Sequence, residues 1–174
     1  MEKKMLNNDF ILSIAEQEAW DKLSSELHWS ETMLEKFKDN VNWEEISSNS
    51  EIFWTISMLK KFSYRIDWNE LSRMICNESL SEECITTFAD KWNWSELSRN
   101  SNLKLTHQLL EKFRENWDWC KIIDRWRDEL FENKGIDFYE RYKENIPESV
   151  LKNSRLWDDM VFQYKNQIIA EITA

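Results

Sequence analysis

Phe62-Ser63-Tyr64-Arg65-Ile66-Asp67-Trp68-Asn69-Glu70-Leu71-Ser72 reads in step with Phe88-Ala89-Asp90-Lys91-Trp92-Asn93-Trp94-Ser95-Glu96-Leu97-Ser98. In both stretches a Phe stands six residues before a Trp, Asn or Asp directly precedes that Trp, and Glu-Leu-Ser closes the unit. Phe37 to Ser47 is a third copy, and Phe113 to Ile123 is a fourth that loses the Ser. Trp43, Trp68, Trp94 and Trp119 are therefore spaced by 25, 26 and 25 residues. Trp20-Asp21-Lys22-Leu23-Ser24 reads as a degenerate earlier copy. Tyr142 to Glu148 reads as a late one, with Glu148 where the others have Trp. Self-similarity at a fixed period of about 20–50 residues is the mark of repeat architectures.

Each copy resolves into two short helices through its capping chemistry. Asn42, Asp67 and Asn93 precede the Trp and are followed three residues later by Glu45, Glu70 and Glu96. In a capping box, the Asn or Asp oxygen accepts from a free helical N–H and the Glu reaches back. Ser30, Thr55, Ser81 and Thr106 recur at 25, 26 and 25 residues as N-caps of the second helix. The residue before each is apolar (Trp29, Trp54, Leu80, Leu105), and the fourth after each is Leu34, Leu59, Ile85 or Leu110, which is hydrophobic-staple spacing. Phe37, Phe62, Phe88 and Phe113 share that apolar face, and Val41, Ile66, Trp92 and Trp117 extend it by a turn. Two to three turns per helix is the expected length. Helices this short are marginal alone, because nucleation is costly and few bonds repay it. They must bury their faces against neighbouring copies.

The frame W-x-x-L-S-x-N, with its Phe six residues before the Trp, resembles tandem Trp-rich short repeats of bacterial and viral hypothetical proteins. The resemblance spans roughly Trp20 to Ile123. It implies a helical-repeat fold and brings no activity with it.

The expected fold is all-α: two-helix repeats stacked as a small α-solenoid with a divergent C-terminal helical cap. One domain is expected over residues 1–174, with an N-terminal cap at 1–28, regular repeats at 29–123 and the C-terminal cap at 124–174. In that last segment, Asp124 to Phe131 reads as continued helix and Gly135 as a helix terminator. Phe138 to Glu144 and Leu156 to Ile169 read as two further helices, separated by Pro147.

Composition narrows the function. The 174 residues hold one Gly and one Pro, against eleven Trp. Phosphate-cradling loops and dinucleotide-binding turns need glycine where backbone approaches a ligand, so those classes are nearly excluded. With 23 Lys+Arg against 33 Asp+Glu the net charge is −10, which disfavours nucleic acid and fits a protein partner with a basic surface. No apolar run approaches the roughly 18–20 residues of a membrane span. Cys76, Cys84 and Cys120 are odd in number and lack Cys-x-x-Cys spacing, so reduced thiols and a cytoplasmic location are expected. His28 and His107 are the only imidazoles and fall at different positions of the repeat. No metal, cofactor or catalytic residue is expected, and an enzyme is not.

In a stack, equivalent side chains align into rows. The in-phase Trp residues read as packing between copies; Trp126 and Trp157 fall outside the frame and are candidates for partner contact. Arg73 and Arg99, with Met74, Asn77, Asn100 and Lys104 in the connections beside them, form a candidate binding stripe. The alternative for any of these is a solvated face with ion pairs of little net worth. The reading reached is a protein-interaction module, in its sharpest form an acidic inhibitor of a bacterial or phage-defence protein. An RNA-binding helical repeat and an immunity protein against a basic toxin are the alternatives.

Overall fold

The computed structural model describes residues 8–75, 79–125, 129–132 and 134–173, and among these the chain is all helix and turn, with twelve helices and no strand. It divides after Phe88 into two compact units. The first holds α1 (Asn8–Glu26), α2 (Glu31–Phe37), α3 (Trp43–Ser48), α4 (Ile56–Phe62), α5 (Trp68–Met74) and α6 (Glu82–Thr87). Within it α1 packs on α3, and α3 on α5. The second holds α7 (Trp94–Arg99), α8 (His107–Lys112), α9 (Trp119–Ile122), α10 (Gly135–Tyr142), α11 (Glu148–Leu151) and α12 (Arg155–Thr173). Within it α7 packs on α9, and α10 on α12.

The caps fall where the repeat places them. Ser30, Thr55, Ser81 and Thr106 accept from the backbone N–H of Met33, Met58, Cys84 and Leu109. Asn42, Asp67 and Asn93 each accept from two backbone N–H groups of the following turn. The Glu of the expected capping box does something else: Glu70 pairs with Arg73, and Glu96 with Arg99 and Lys121. The N–H that such a Glu would take is already given to the preceding copy's serine hydroxyl at Asn42 and Asp67. The repeat helices are also shorter than expected, at four to seven residues. After Phe37, Phe62 and Phe113 the chain enters a tight turn, with the N–H of Asn40, Arg65 and Asn116 returning to the Phe carbonyl.

The Trp performs two tasks. Trp43, Trp68, Trp94 and Trp119 donate Nε1–H to the carbonyls of Lys38, Ser63, Ala89 and Arg114 at 2.8–3.0 Å. These carbonyls lie just past the preceding helix, where no intrahelical donor remains. The ring then packs on the Phe of the next copy. Centroid distances are 5.6 Å for Trp20–Phe37, 5.3 Å for Trp43–Phe62, 5.3 Å for Trp68–Phe88 and 4.9 Å for Trp94–Phe113. Tyr142 takes the Phe position for Trp119, at 5.1 Å. Trp43, Trp68 and Trp94 are half-buried, whereas Trp119 is buried. The Leu or Ile a turn further on is fully enclosed: Ile46, Leu71, Leu97 and Ile122 are all 0% exposed.

A polar bridge joins the same copies. The backbone N–H of Asn42, Asp67 and Asp118 donates to the hydroxyl of Ser24, Ser47 and Ser98 in the copy before, at 2.9–3.0 Å. At the last copy both partners change at once. Ile123 replaces the Ser, and Pro147, which has no N–H, replaces the Asn or Asp. No buried donor is stranded by the change. The Ile123 carbonyl accepts from Leu156 N–H instead, at 3.0 Å.

The C-terminal segment departs from expectation in three places. The chain leaves the helix at Ile122, with Asp124 and residues 129–132 in turns. Arg125 is turned inward, 7% exposed, and donates to the carbonyls of Ser98 and Asn100 at 3.1 and 2.7 Å, and to that of Leu103. Asn49, six residues past its Trp as Arg125 is past Trp119, likewise reaches back to the carbonyls of Ser24 and Leu27. Gly135 opens α10 and does not terminate a helix. Its N–H donates to Asp159 Oδ2 at 2.8 Å, and a Cβ there would meet that oxygen at 2.6 Å and the Met160 backbone nitrogen at 3.2 Å. Between the two expected helices lies the short α11, with Pro147 as its N-cap.

Candidate protein-docking surface

The residues singled out in the sequence have different fates. Arg73 is exposed on α5 and held by Glu70, and Met74 closes the same helix half-buried. In the second unit, Arg99 is exposed with Nε 3.4 Å from Glu96 Oε2. Asn100 is 4% exposed; its Oδ1 accepts from Asn102 N–H at 2.9 Å, and its carbonyl receives Arg125. That side chain belongs to the packing. Lys104 is exposed, 3.1 Å from Glu129. Trp157 is half-buried near the start of α12. Asn77 and Trp126 lie outside the described residues, as does Cys76.

Helix α1 presents a surface that the repeat pattern alone does not reveal. Phe10, Ile11, Leu12, Ile14, Leu23 and Leu27 are 38–66% exposed on it or just beyond its end. Leu23 is the telling one. It stands three residues past Trp20, the place that Ile46, Leu71, Leu97 and Ile122 fill at 0% exposure, yet it is 42% exposed. An adjoining side of α1 is engaged, with Trp20 against Phe37 and Ser24 receiving Asn42 N–H. Ala19, Lys22, Leu23, Glu26 and Leu27 line a shallow groove of about 430 Å³. Asp9, Glu16, Glu18, Asp21 and Glu26 set five acids against the single Lys22 along the helix.

The second long helix, α12, is apolar on two sides. Leu156, Asp159, Met160 and Gln163 form its packed side, with Asp159 and Gln163 accepting from the N–H groups of Gly135 and Ile136. Val161, Phe162, Tyr164, Ile168, Ile169 and Ile172 are 48–79% exposed.

A polar cluster ties α8 to α10. His107 Nδ1 lies 2.8 Å from Tyr142 Oη, with the two rings stacked at 5.7 Å. Glu111 accepts from Arg114 and, at 3.2 Å, from Arg141, while Arg114 also donates to Asn145 Oδ1 at 3.0 Å. Burial pushes the His107 imidazole below its ordinary range, with Arg141 adding to the effect. The hydrogen bond from Arg114 holds Glu111 below the usual carboxylate range. Burial drives the Cys84 thiol up to about 11, whereas Cys120 is exposed. Among the described residues no group of three His, Cys, Asp or Glu is placed to hold a metal ion.

The chain matches no protein-family model, and comparisons with curated proteins and with solved structures gave no match. No helix among the described residues is long and apolar enough to cross a membrane.

Proposed function

We propose that the chain is a non-enzymatic protein-interaction module, a Trp-rich α-solenoid of the kind the repeat frame resembles. Its open end at α1 docks a basic partner that presents an apolar helix. The carrying observation is Leu23: the position that neighbouring copies enclose elsewhere is uncovered here, within an acidic helix. An apolar helix laid along Leu12, Ala15, Ala19 and Leu23 covers these side chains, and its Lys and Arg residues meet Glu16, Glu26 and Asp9. Burial supplies affinity, while opposite charge speeds encounter and selects the partner. In its sharpest form the module is an acidic inhibitor of a basic bacterial or phage-defence protein in the cytoplasm. Arg73 and Arg99 are each engaged by a carboxylate of their own helix, which leaves less charge for the RNA alternative.

The test uses an 18-residue amphipathic helix of Leu and Lys and its Leu/Glu counterpart as probes. Binding of the Leu/Lys helix is expected to weaken as salt screens the charges. It is expected to fall at least tenfold in Leu12→Glu plus Leu23→Glu, with tryptophan emission unchanged; the Leu/Glu helix should not bind. Equal binding of both probes, or no loss in the variant, overturns the reading. Binding of an RNA pool that is abolished by Arg73→Glu plus Arg99→Glu would put the RNA reading in its place.

A further inference from the structure

We infer that α12 is a self-association helix, on which two copies of the chain pair antiparallel through Val161, Lys165, Ile168 and Ile172. This surface is separate from the α1 face and does not depend on the function proposed for it.

Helix α12 carries two stripes. Leu156, Asp159, Met160 and Gln163, at i, i+3, i+4 and i+7, are committed to its own unit. Val161, Lys165, Ile168 and Ile172, at i, i+4, i+7 and i+11, repeat with the seam spacing of paired helices. At 3.6 residues per turn the two stripes lie on opposite sides of the helix. Phe162, Ile169 and Tyr164 flank the outer stripe, and Trp157 lies one turn before Val161 in the same phase. The packing of the unit thus uses one side, and the apolar side faces solvent along the whole second half.

Charge selects the occupant. Residues 160–173 carry one base, Lys165, and one acid, Glu171, in a chain of net charge −10. This stretch is locally neutral, so copies can meet here with little repulsion. A basic partner would find one carboxylate here, against five on α1. Direction follows from Lys165. A parallel in-register pair would set it against its own copy, with like charges opposed at a seam. An antiparallel pair centred between Asn166 and Gln167 sets Lys165 beside Ile168 of the other copy and about one turn from its Glu171. Area sets a ceiling: aromatic side chains offer about 150–250 Å² each and aliphatic ones less, so the six partial exposures offer no more than about 600 Å² per chain. A two-fold pair that covered all of them would bury about 1,200 Å², the lower edge of stable interfaces.

Sedimentation equilibrium of the full chain over 1–100 µM, with circular dichroism on every variant, tests the pairing. The wild type is expected at twice its 21.3 kDa chain mass. Ile168→Glu plus Ile172→Glu should sediment as a single chain with unchanged helicity. Lys165→Glu should weaken the dimer at least tenfold, and adding Glu171→Lys should restore it. Leu12→Glu plus Leu23→Glu should leave it intact. A wild type that remains at the mass of one chain overturns the inference, as does a dimer that survives the Ile168/Ile172 substitutions. Failure of Glu171→Lys to rescue overturns the antiparallel register. A single chain that instead floats with phosphatidylcholine vesicles through these same isoleucines assigns the stripe to lipid and also overturns the inference.

Discussion

Among single residues, the serine after each Leu or Ile shows best why a short motif repeats. Ser47 donates to the Trp43 carbonyl at 2.6 Å and accepts from Asp67 N–H of the following copy. Ser48, beside it, only donates to the Glu45 carbonyl of its own helix. Ser47→Ala strands a backbone donor and is expected to cost about 1–3 kcal/mol in urea unfolding, whereas Ser48→Ala should cost under about 0.5 kcal/mol. Equal costs would remove the bridge from the account. The thiols separate in the same way. At pH 7.5, iodoacetamide should label Cys120 in the folded chain while Cys84 stays unlabelled until unfolding, as read by peptide mass spectrometry. Rapid labelling of Cys84 under native conditions would contradict its burial. Residue types in phase are legible in the amino-acid sequence: the caps Ser30, Thr55, Ser81 and Thr106 follow from spacing alone. Arg125 is not. A guanidinium in sequence looks like surface, and only its place six residues past Trp119, shared with Asn49 and Asn100, hints that it turns inward.

The helices behave according to what lies next to them. Those of the repeats are four to seven residues long and turn their apolar side chains inward; α1 and α12 have 19 residues each and expose large apolar side chains to solvent. Leu156 to Ile169 already marks most of α12 in sequence, whereas the reach of α1 is not legible there, because the repeat frame stops at Trp20. The same holds for the α10–α12 contact. Gly135 reads as a helix end by residue statistics, but here it lets the start of α10 approach Asp159 and Met160. Gly135→Ala is expected to cost about 1–3 kcal/mol, since the Met160 backbone cannot retreat as a side-chain tip can. Thermal unfolding within about 1 °C of wild type would show that the approach carries no strain.

For the whole molecule, net charge and repeat number set the behaviour. In the first unit Leu23 is exposed where equivalent residues are enclosed, and in the second Ile123 and Pro147 drop the polar bridge together. The exposed apolar face of α1 is invisible in sequence for a physical reason. Leu23 looks like Leu71 or Leu97, and exposure depends on what packs beside it. Acid should weaken the fold. His107 titrates below its ordinary value of about 6.5 in the folded chain, because burial, Arg141 and Lys134 disfavour its charged form more than Glu111 favours it. The unfolded chain then binds the proton more readily. The stabilising contribution is present above pH 6.5 and is lost as pH falls through the folded value. His107→Gln should reduce the fall in Tm between pH 7.5 and 5.5, and the His107 NMR titration should have its midpoint below 6.5. A midpoint above 6.5 would reverse the sign.

Successive copies hold one another through the indole of one and the Phe of the next. A double-mutant cycle on Trp43 and Phe62, whose rings lie 5.3 Å apart, measures that contact by urea unfolding of wild type, Trp43→Ala, Phe62→Ala and the double variant. A coupling of about 0.5–1.5 kcal/mol is expected for such a ring pair. Strict additivity of the two single substitutions would contradict it.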